Sequence, residues 1–255
     1  MSSDVSRLEI EWTFGPSNAF EAAHVFAPLP ELTIAVDAGV ARVTLLGFSE
    51  GEEVRPRVEK VADILRALLQ GVQLVERKPV TATMGNVTGY ADDGSQHRFV
   101  LLQGVTAVGL TGHPPDIRIA QSDGTVIRDT RMERIERKRW FAAQVAKHGA
   151  TDSTLQRMLR SYEASLRDSD DELVHLYEIR ESFRYRIGKA DPALFKVHAK
   201  AGDQLGELCN TAPLRQGRHR GEVPEEALRD ATPEELDRAR GLALRLLEAY
   251  LQWLG

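Results

Sequence analysis

Alternating apolar and polar positions dominate the first half of the chain. Residues 8–14 alternate strictly, and the Gly15-Pro16 pair that follows them is typical of a strand end. Residues 32–36 and 41–48 are rich in β-branched side chains, and the intervening Asp37-Ala38-Gly39 predicts a hairpin turn. Further strands are predicted at 72–75, 80–90, 98–102, 105–110, 117–120 and 125–127.

One stretch of this half has helical periodicity instead. Pro56 suits a first helical turn, where a missing N–H costs nothing, and Gly71 predicts the helix end. Between them, apolar residues recur at three- and four-residue steps: Val58, Val61, Ile64, Leu65, Leu68 and Leu69. We therefore expect residues 1–130 to form an antiparallel β-rich domain with one packed helix.

From residue 131 onwards, helical periodicity replaces strand alternation. Asp191-Pro192 is typical of a helix start, and Thr232-Pro233-Glu234-Glu235 has the pattern of a capping box with proline at the first helical position. Helices are predicted at 131–147, 153–166, 171–187, 191–209 and from 232 to the end. Helices with short links predict an antiparallel bundle over residues 131–255, so the expected fold class is α+β with two domains.

Charge and composition exclude several classes of protein. Residues 1–130 carry 11 Lys and Arg against 17 Asp and Glu, and the remainder carries 22 against 21, which argues against a dedicated nucleic-acid coat. The polar N-terminus lacks the apolar core of a secretory signal, and no apolar run approaches the roughly 20 residues of a membrane-spanning helix. The expectation is a cytoplasmic protein without a membrane partner.

A single cysteine, Cys209, rules out an internal disulfide and a cysteine-based metal site. It falls on the apolar spacing of a predicted helix, which favours a small buried side chain. The alternative is a reactive thiol activated by Arg215 and Arg218, which are close in sequence. The other histidines do not have zinc-site spacing, and no motif indicates a cofactor.

The densest polar feature is the segment Leu214-Arg215-Gln216-Gly217-Arg218-His219-Arg220-Gly221. Three arginines and a histidine within six residues repel one another unless an anion or acidic side chains neutralise them. Arginine forks suit phosphate, and histidine titrates near neutral pH. The segment therefore predicts an anion or RNA site or a catalytic site, unless nearby Glu222, Glu225 and Glu226 pair with it as part of the structure.

This segment, on a helical background, resembles the HEPN-type domains of bacterial defence and abortive-infection proteins. Their signature is an arginine, a polar residue and a histidine four to six residues on, often with glycine after it. Arg215-Gln216-Gly217-Arg218-His219-Arg220-Gly221 is similar to that pattern, with three residues between Arg215 and His219. The resemblance extends at most over residues 150–255.

The resemblance implies metal-independent RNA cleavage at a homodimer interface of the helical domain. His219 would be the general acid or base, and Arg215 would stabilise charge that develops on the phosphate. Gln216, Arg218 and Arg220 are the ligand-binding candidates, and neither a metal nor a cofactor is expected. The alternative is a non-enzymatic protein-interaction or regulatory module, because no catalytic set of ordinary spacing is present.

A second basic cluster comprises Arg131, Arg134, Arg137, Lys138 and Arg139, followed by Trp140 and Phe141. Basic residues beside aromatic ones can bind nucleic acid. Glu133 and Glu136 interleave with them at helical ion-pair steps, which favours a solvated helix face that bridges the two halves.

Overall fold

The computed structural model describes residues 5–48, 53–92, 95–99, 116–120, 126–222 and 224–255. The chain divides into two compact units. Unit 1 comprises residues 1–76 and 80–147, and unit 2 comprises residues 77–79 and 148–255. The expected α+β class, with an antiparallel sheet first and a helical bundle after it, is confirmed.

Unit 1 contains a six-stranded antiparallel sheet in the order β2-β3-β4-β1-β5-β6. The strict alternation of the first strand buries Leu8, Ile10, Trp12 and Phe14 on one face. The strands are β1 Val5–Gly15, β2 His24–Leu29, β3 Leu32–Asp37, β4 Val40–Leu46, β5 Thr81–Ala91 and β6 Gln96–Phe99. Strand β2 was not predicted, and the strand predicted at 105–110 lies outside the described residues.

The hairpin between β3 and β4 turns at the predicted place. Ala38 and Gly39 have φ values of +45° and +83°, which is the left-handed pair that a two-residue hairpin turn requires. A Cβ on Gly39 would also lie 2.7 Å from the Cβ of Ser17, so this turn needs glycine for space as well as for conformation.

Helix α1, Val54–Glu76, packs on the sheet and is longer than predicted. The predicted end at Gly71 and the predicted strand at 72–75 are wrong, because the helix continues and buries Val72 and Leu74. A Cβ on Gly71 would meet the Cα of Ala142 at 2.4 Å. Gly71 therefore permits close packing of two helices and does not end one.

Helix α2, Thr130–His148, contributes Ile135, Phe141 and Val145 to the buried residues. The domain boundary was predicted at residue 130, whereas the two compact units divide after this helix, at residue 147. The difference arises because Ala142 packs in the core of unit 1. Before α2, strands β7 Arg118–Ala120 and β8 Val126–Asp129 pair as a separate two-stranded sheet.

Unit 2 is built from α3 Ser153–Ser165, α4 Glu172–Ala190, α5 Pro192–Gly206 and α6 Pro233–Leu254. Its centre includes Tyr162, Leu176, Phe183, Leu247 and Tyr250, all fully buried. The predicted helix starts are confirmed. The Asp191 carboxylate accepts a hydrogen bond from Leu194 N at 2.9 Å, and Thr232 and Glu235 form a capping box.

None of the helices in the described part of the chain combines the length and the apolar content needed to cross a lipid bilayer.

Candidate functional site

The segment from Leu214 to Gly221 follows a π-helical turn, Glu207–Thr211, and ends within a short 3-10 helix, Arg220–Glu222. Its first residue, Leu214, is fully buried. Arg215 N donates to Arg229 O at 3.0 Å, and Arg229 N donates to Pro213 O at 3.1 Å. These two hydrogen bonds join residues 213–215 to Arg229, so they hold the start of the loop in place.

Arg215 is occupied by groups of unit 2. Its guanidinium forms an ion pair with Glu225. It also donates to Leu228 O at 3.4 Å and lies 3.9 Å from the Asp230 carboxylate. Arg215 was predicted to stabilise charge on a phosphate. Its guanidinium therefore already has a carboxylate partner within the protein.

His219 faces a different carboxylate. Its Nδ1 lies 2.6 Å from Glu222 Oε1, and the side chain is part-exposed. The described contacts do not join His219 to Arg215. The two side chains that the motif nominates as acid–base and as phosphate ligand therefore contact two different carboxylates.

The three ligand-binding candidates also contact other groups of unit 2. Arg220 donates to Arg215 O at 3.0 Å and to Asp170 O at 3.1 Å, and it forms an ion pair with Asp171 at 2.5 Å. Gln216 Oε1 accepts a hydrogen bond from Ala231 N at 3.0 Å. The Arg218 guanidinium lies 5.0 Å from the centre of the Tyr177 ring, as a cation–π contact.

The cluster therefore fixes the loop onto its surroundings. Of the three glutamates predicted as partners, Glu222 and Glu225 pair with it. A cavity of about 460 Å³ beside the loop has three carboxylates and two guanidinium groups in its lining: Asp170, Glu225, Asp230, Arg215 and Arg220. Its net charge is −1, which disfavours a polyanion at this place.

Cys209 is fully buried in the π-helical turn, as predicted for a small packed side chain. Burial raises the pKa of its thiol to about 12. A nucleophilic cysteine needs a lowered pKa and some exposure, so the reactive alternative is excluded.

The second basic cluster is a buried ion-pair network within unit 1. Lys138 is fully buried and pairs with Glu21 and with Glu76. Arg134 donates two hydrogen bonds of 2.6 Å to the Glu21 carboxylate and pairs with Asp116 at 2.8 Å. Burial opposes ionisation of Glu21, but the hydrogen bonds from Arg134 and Lys138 hold its pKa below the ordinary value.

The expected solvated helix face is therefore wrong for the centre of this cluster. Arg131 and Arg139 also point back to the segment between β1 and β2, where they donate to Glu21 O at 3.2 Å and Ala23 O at 3.1 Å. Helix α2 thus anchors this connection, in which Glu21 has a positive φ of 60°. Because these side chains are paired within unit 1, few basic groups of the cluster are available to bind nucleic acid.

A different basic surface, which the sequence patterns did not indicate, lies on α4 and α5. On α5, Lys196, Val197 and Lys200 are exposed along one stripe, and Val197 is 75% exposed. On α4, Tyr185 is 63% exposed, and Lys189 Nζ lies 4.2 Å from the centre of its ring. Gly188 faces the Phe195 ring, so these parts of α4 and α5 are adjacent. We call Tyr185, Lys189, Lys196, Val197 and Lys200 the α4–α5 surface.

The α4–α5 surface contains three lysines and no acidic side chain. Residues 184–200 contain five Lys and Arg and one acidic residue, Asp191, whose carboxylate caps α5. Among the described residues, neither Lys196 nor Lys200 has an ion-pair partner. A window count of charge could have found this surface. Apolar residues in α5 favour a buried helix, whereas the structure fully buries only Leu205 of this helix.

In the described part of the chain, no group of three or more histidine, cysteine or acidic side chains is arranged to hold a metal ion. His175 instead has a carboxylate partner, because its Nε2 lies 3.4 Å from Asp168 Oδ2.

Comparison with protein-family models, with curated proteins and with solved structures gives no significant match to this sequence. The HEPN-type resemblance thus stays a prediction.

Proposed function

We propose that unit 2 is a binding module for single-stranded RNA that uses the α4–α5 surface and does not cleave its ligand. The observation that carries this proposal is the pair of exposed lysines, Lys196 and Lys200, which have no acidic partner among the described residues and stand beside exposed apolar and aromatic side chains.

The chemistry of the surface suits a single strand. Ammonium groups four residues apart on a helix lie on one face, where they can neutralise neighbouring phosphates and release counterions. Tyr185 offers an exposed ring on which a base can stack, and Lys189 already lies against that ring. A duplex would not present its bases to such a ring, so the proposal is for unpaired nucleotides.

RNA is the class of nucleic acid that the HEPN-type resemblance of residues 150–255 implies. The proposal keeps RNA as the ligand but assigns a new surface, because Arg215, His219 and Arg220 of the resembling segment each contact a carboxylate of the protein itself. A general acid or base must reach the proton that it transfers, and a phosphate ligand must be available to the phosphate. The separate contacts of His219 with Glu222 and of Arg215 with Glu225 support binding without cleavage.

The test is fluorescence anisotropy with a labelled oligouridine, over a series of salt concentrations. Lys196→Gln combined with Lys200→Gln should weaken binding by about tenfold or more and lower the salt slope by roughly 1.4, since each lost phosphate contact on a single strand contributes about 0.7. Tyr185→Ala should cost a further roughly 1–3 kcal/mol of stacking.

The matched control is Lys60→Gln, which removes one exposed ammonium group from unit 1. This variant should bind the oligouridine like the wild type. Unchanged affinity in the double lysine variant, or wild-type protein that binds no RNA at low salt, would overturn the proposal.

A second candidate is a protein-interaction module, and the mixed-charge cavity beside the loop favours it. With carboxylates and guanidinium groups interspersed around about 460 Å³, this cavity suits a polar peptide segment that carries a basic residue. An Asp230→Asn variant separates the two candidates, because it should leave RNA affinity unchanged while it weakens binding of a lysine-containing peptide ligand.

A further inference from the structure

An apolar cavity of about 390 Å³ lies within unit 1, between β2 and the helices α1 and α2. Phe26 and Leu68 are buried members of its lining, and Leu29 and Ile64 are part-buried members. Ala143, an exposed residue of α2, also belongs to the lining. A volume in this range is typical of small-molecule sites, which run from roughly 300 to 1,000 Å³.

The lining has one charged member. Eight of the nine lining residues are apolar, and the ninth is Lys147, at the exposed rim. No carboxylate belongs to the lining. A ligand that fits must therefore combine an apolar body with a group that an ammonium binds.

A second cation lies on the same face of α2. Arg139, Ala143 and Lys147 are spaced four residues apart, so they form one stripe along the helix. Arg139 donates through Nη2 to Ala23 O at 3.1 Å, while its buried Nε has no hydrogen-bond partner among the described contacts. Its charge also reaches His24 at the start of β2, where burial first and then Arg139 lower the histidine pKa. Arg139 thus adds a second positive charge to the α2 stripe that carries Lys147.

We infer that unit 1 binds an anionic amphiphile, namely a monocarboxylate with an alkyl chain of medium length. The chain occupies the cavity between Phe26, Ile64 and Leu68, and the carboxylate accepts a hydrogen bond from Lys147. An ammonium has three N–H donors, so Lys147 can bind a carboxylate and keep an existing contact. This inference is independent of the proposed RNA binding, because it concerns a different unit.

The probe is decanoate, titrated calorimetrically into the 255-residue protein at concentrations below the micelle concentration of decanoate. Decanol has the same chain without the charge, and acetate has the charge without the chain. We expect decanoate to bind, decanol to bind about tenfold more weakly and acetate not to bind.

Two variants place the ligand. Lys147→Gln should weaken decanoate about tenfold and leave decanol unchanged. Ala143→Phe should weaken both, because its ring occupies the entrance; Ala143→Leu is the smaller substitution if the phenylalanine disturbs folding, as judged by circular dichroism. Lys200→Gln is the charge control, and it should bind decanoate like the wild type while it loses RNA affinity.

The assignment is overturned if wild-type protein gives no binding heat with decanoate, if decanol binds as tightly as decanoate, or if neither cavity variant changes the affinity. A loss of decanoate binding in Lys200→Gln would equally move the site out of unit 1. A variant that loses RNA binding but keeps decanoate binding bears only on the proposed RNA site in unit 2. It does not affect the carboxylate site inferred in unit 1.

Discussion

At the scale of single residues, burial decides what each charge does. Lys138 has the same chemistry as Lys196, yet the first is enclosed with Glu21 and Glu76 and the second is exposed to solvent. A buried ion pair offsets its desolvation only while both partners are present. Lys138 is therefore a structural residue, and Lys196 is available to a ligand.

Substituting Lys138→Met should destabilise unit 1 by about 3–5 kcal/mol, because Glu21 and Glu76 then lose a buried cation. Urea unfolding, followed by Trp12 and Trp140 fluorescence, measures this loss. Lys60→Met removes an exposed lysine of the same unit and should change stability by about 0.5 kcal/mol or less. If Lys138→Met and Lys60→Met had equal free energies of unfolding, the buried network would contribute nothing to stability.

Cys209 illustrates burial of a nucleophile. With the thiol pKa at about 12, roughly one thiol in ten thousand is ionised at pH 8. We expect the native protein to resist iodoacetamide at this pH, since the reacting species is the thiolate, and to be alkylated promptly in denaturing urea. Rapid alkylation of the folded protein, detected by mass spectrometry, would contradict the buried position.

At the scale of the elements, close approach between two helices is set by glycine. Gly71 lies within α1 where the backbone of α2 passes, and a Cβ there would meet Ala142 Cα at 2.4 Å and Phe141 O at 2.5 Å. Backbone atoms cannot move aside as a flexible side chain can. Gly202, in α5, has no heavy atom within 4 Å of such a Cβ among the described residues.

These two glycines should respond in opposite directions to alanine. Gly71→Ala should lower the unfolding free energy by about 1–3 kcal/mol through overpacking, despite the better helix propensity of alanine. Gly202→Ala should raise it by about 0.5–1 kcal/mol, because only the propensity changes. Thermal unfolding of both variants and of the wild type measures these two changes in stability. A Gly71→Ala variant more stable than the wild type would refute the close contact between α1 and α2.

At the scale of the whole molecule, local charge and net charge differ. The chain carries a net charge of −5, yet residues 184–200 carry five basic residues and one acidic residue. A composition taken over each half averages this surface away. The loop at 214–221 is the opposite case, since it is strongly basic in sequence, yet Arg215 and Arg220 form ion pairs with Glu225 and Asp171 once folded.

The separate contacts of His219 and Arg215 lead us to expect that the protein does not cleave RNA. Wild-type protein and His219→Ala, incubated with RNA without added metal, should give the same undegraded RNA on a denaturing gel. The physical reason is that His219 and Arg215 face separate carboxylates. Multiple-turnover cleavage that disappears in His219→Ala would establish a metal-independent ribonuclease instead.

The sequence by itself determined the local structure. Period-two alternation in β1, the hairpin at Ala38-Gly39 and the capping box at Thr232 are properties of neighbouring residues, so they could be predicted without knowledge of the fold. The end of α1 could not, because the role of Gly71 depends on Ala142, which is distant in sequence.

Tertiary structure alone decided which charges remain for function. Arg220 meets Asp171 and Lys138 meets Glu21 only after distant segments pack together. Electrostatic pairing depends on distance in space, and local spacing contains no information about partners far along the chain. For that reason the most basic stretches of the sequence proved to be internally paired, and the candidate binding surface lies on α4 and α5.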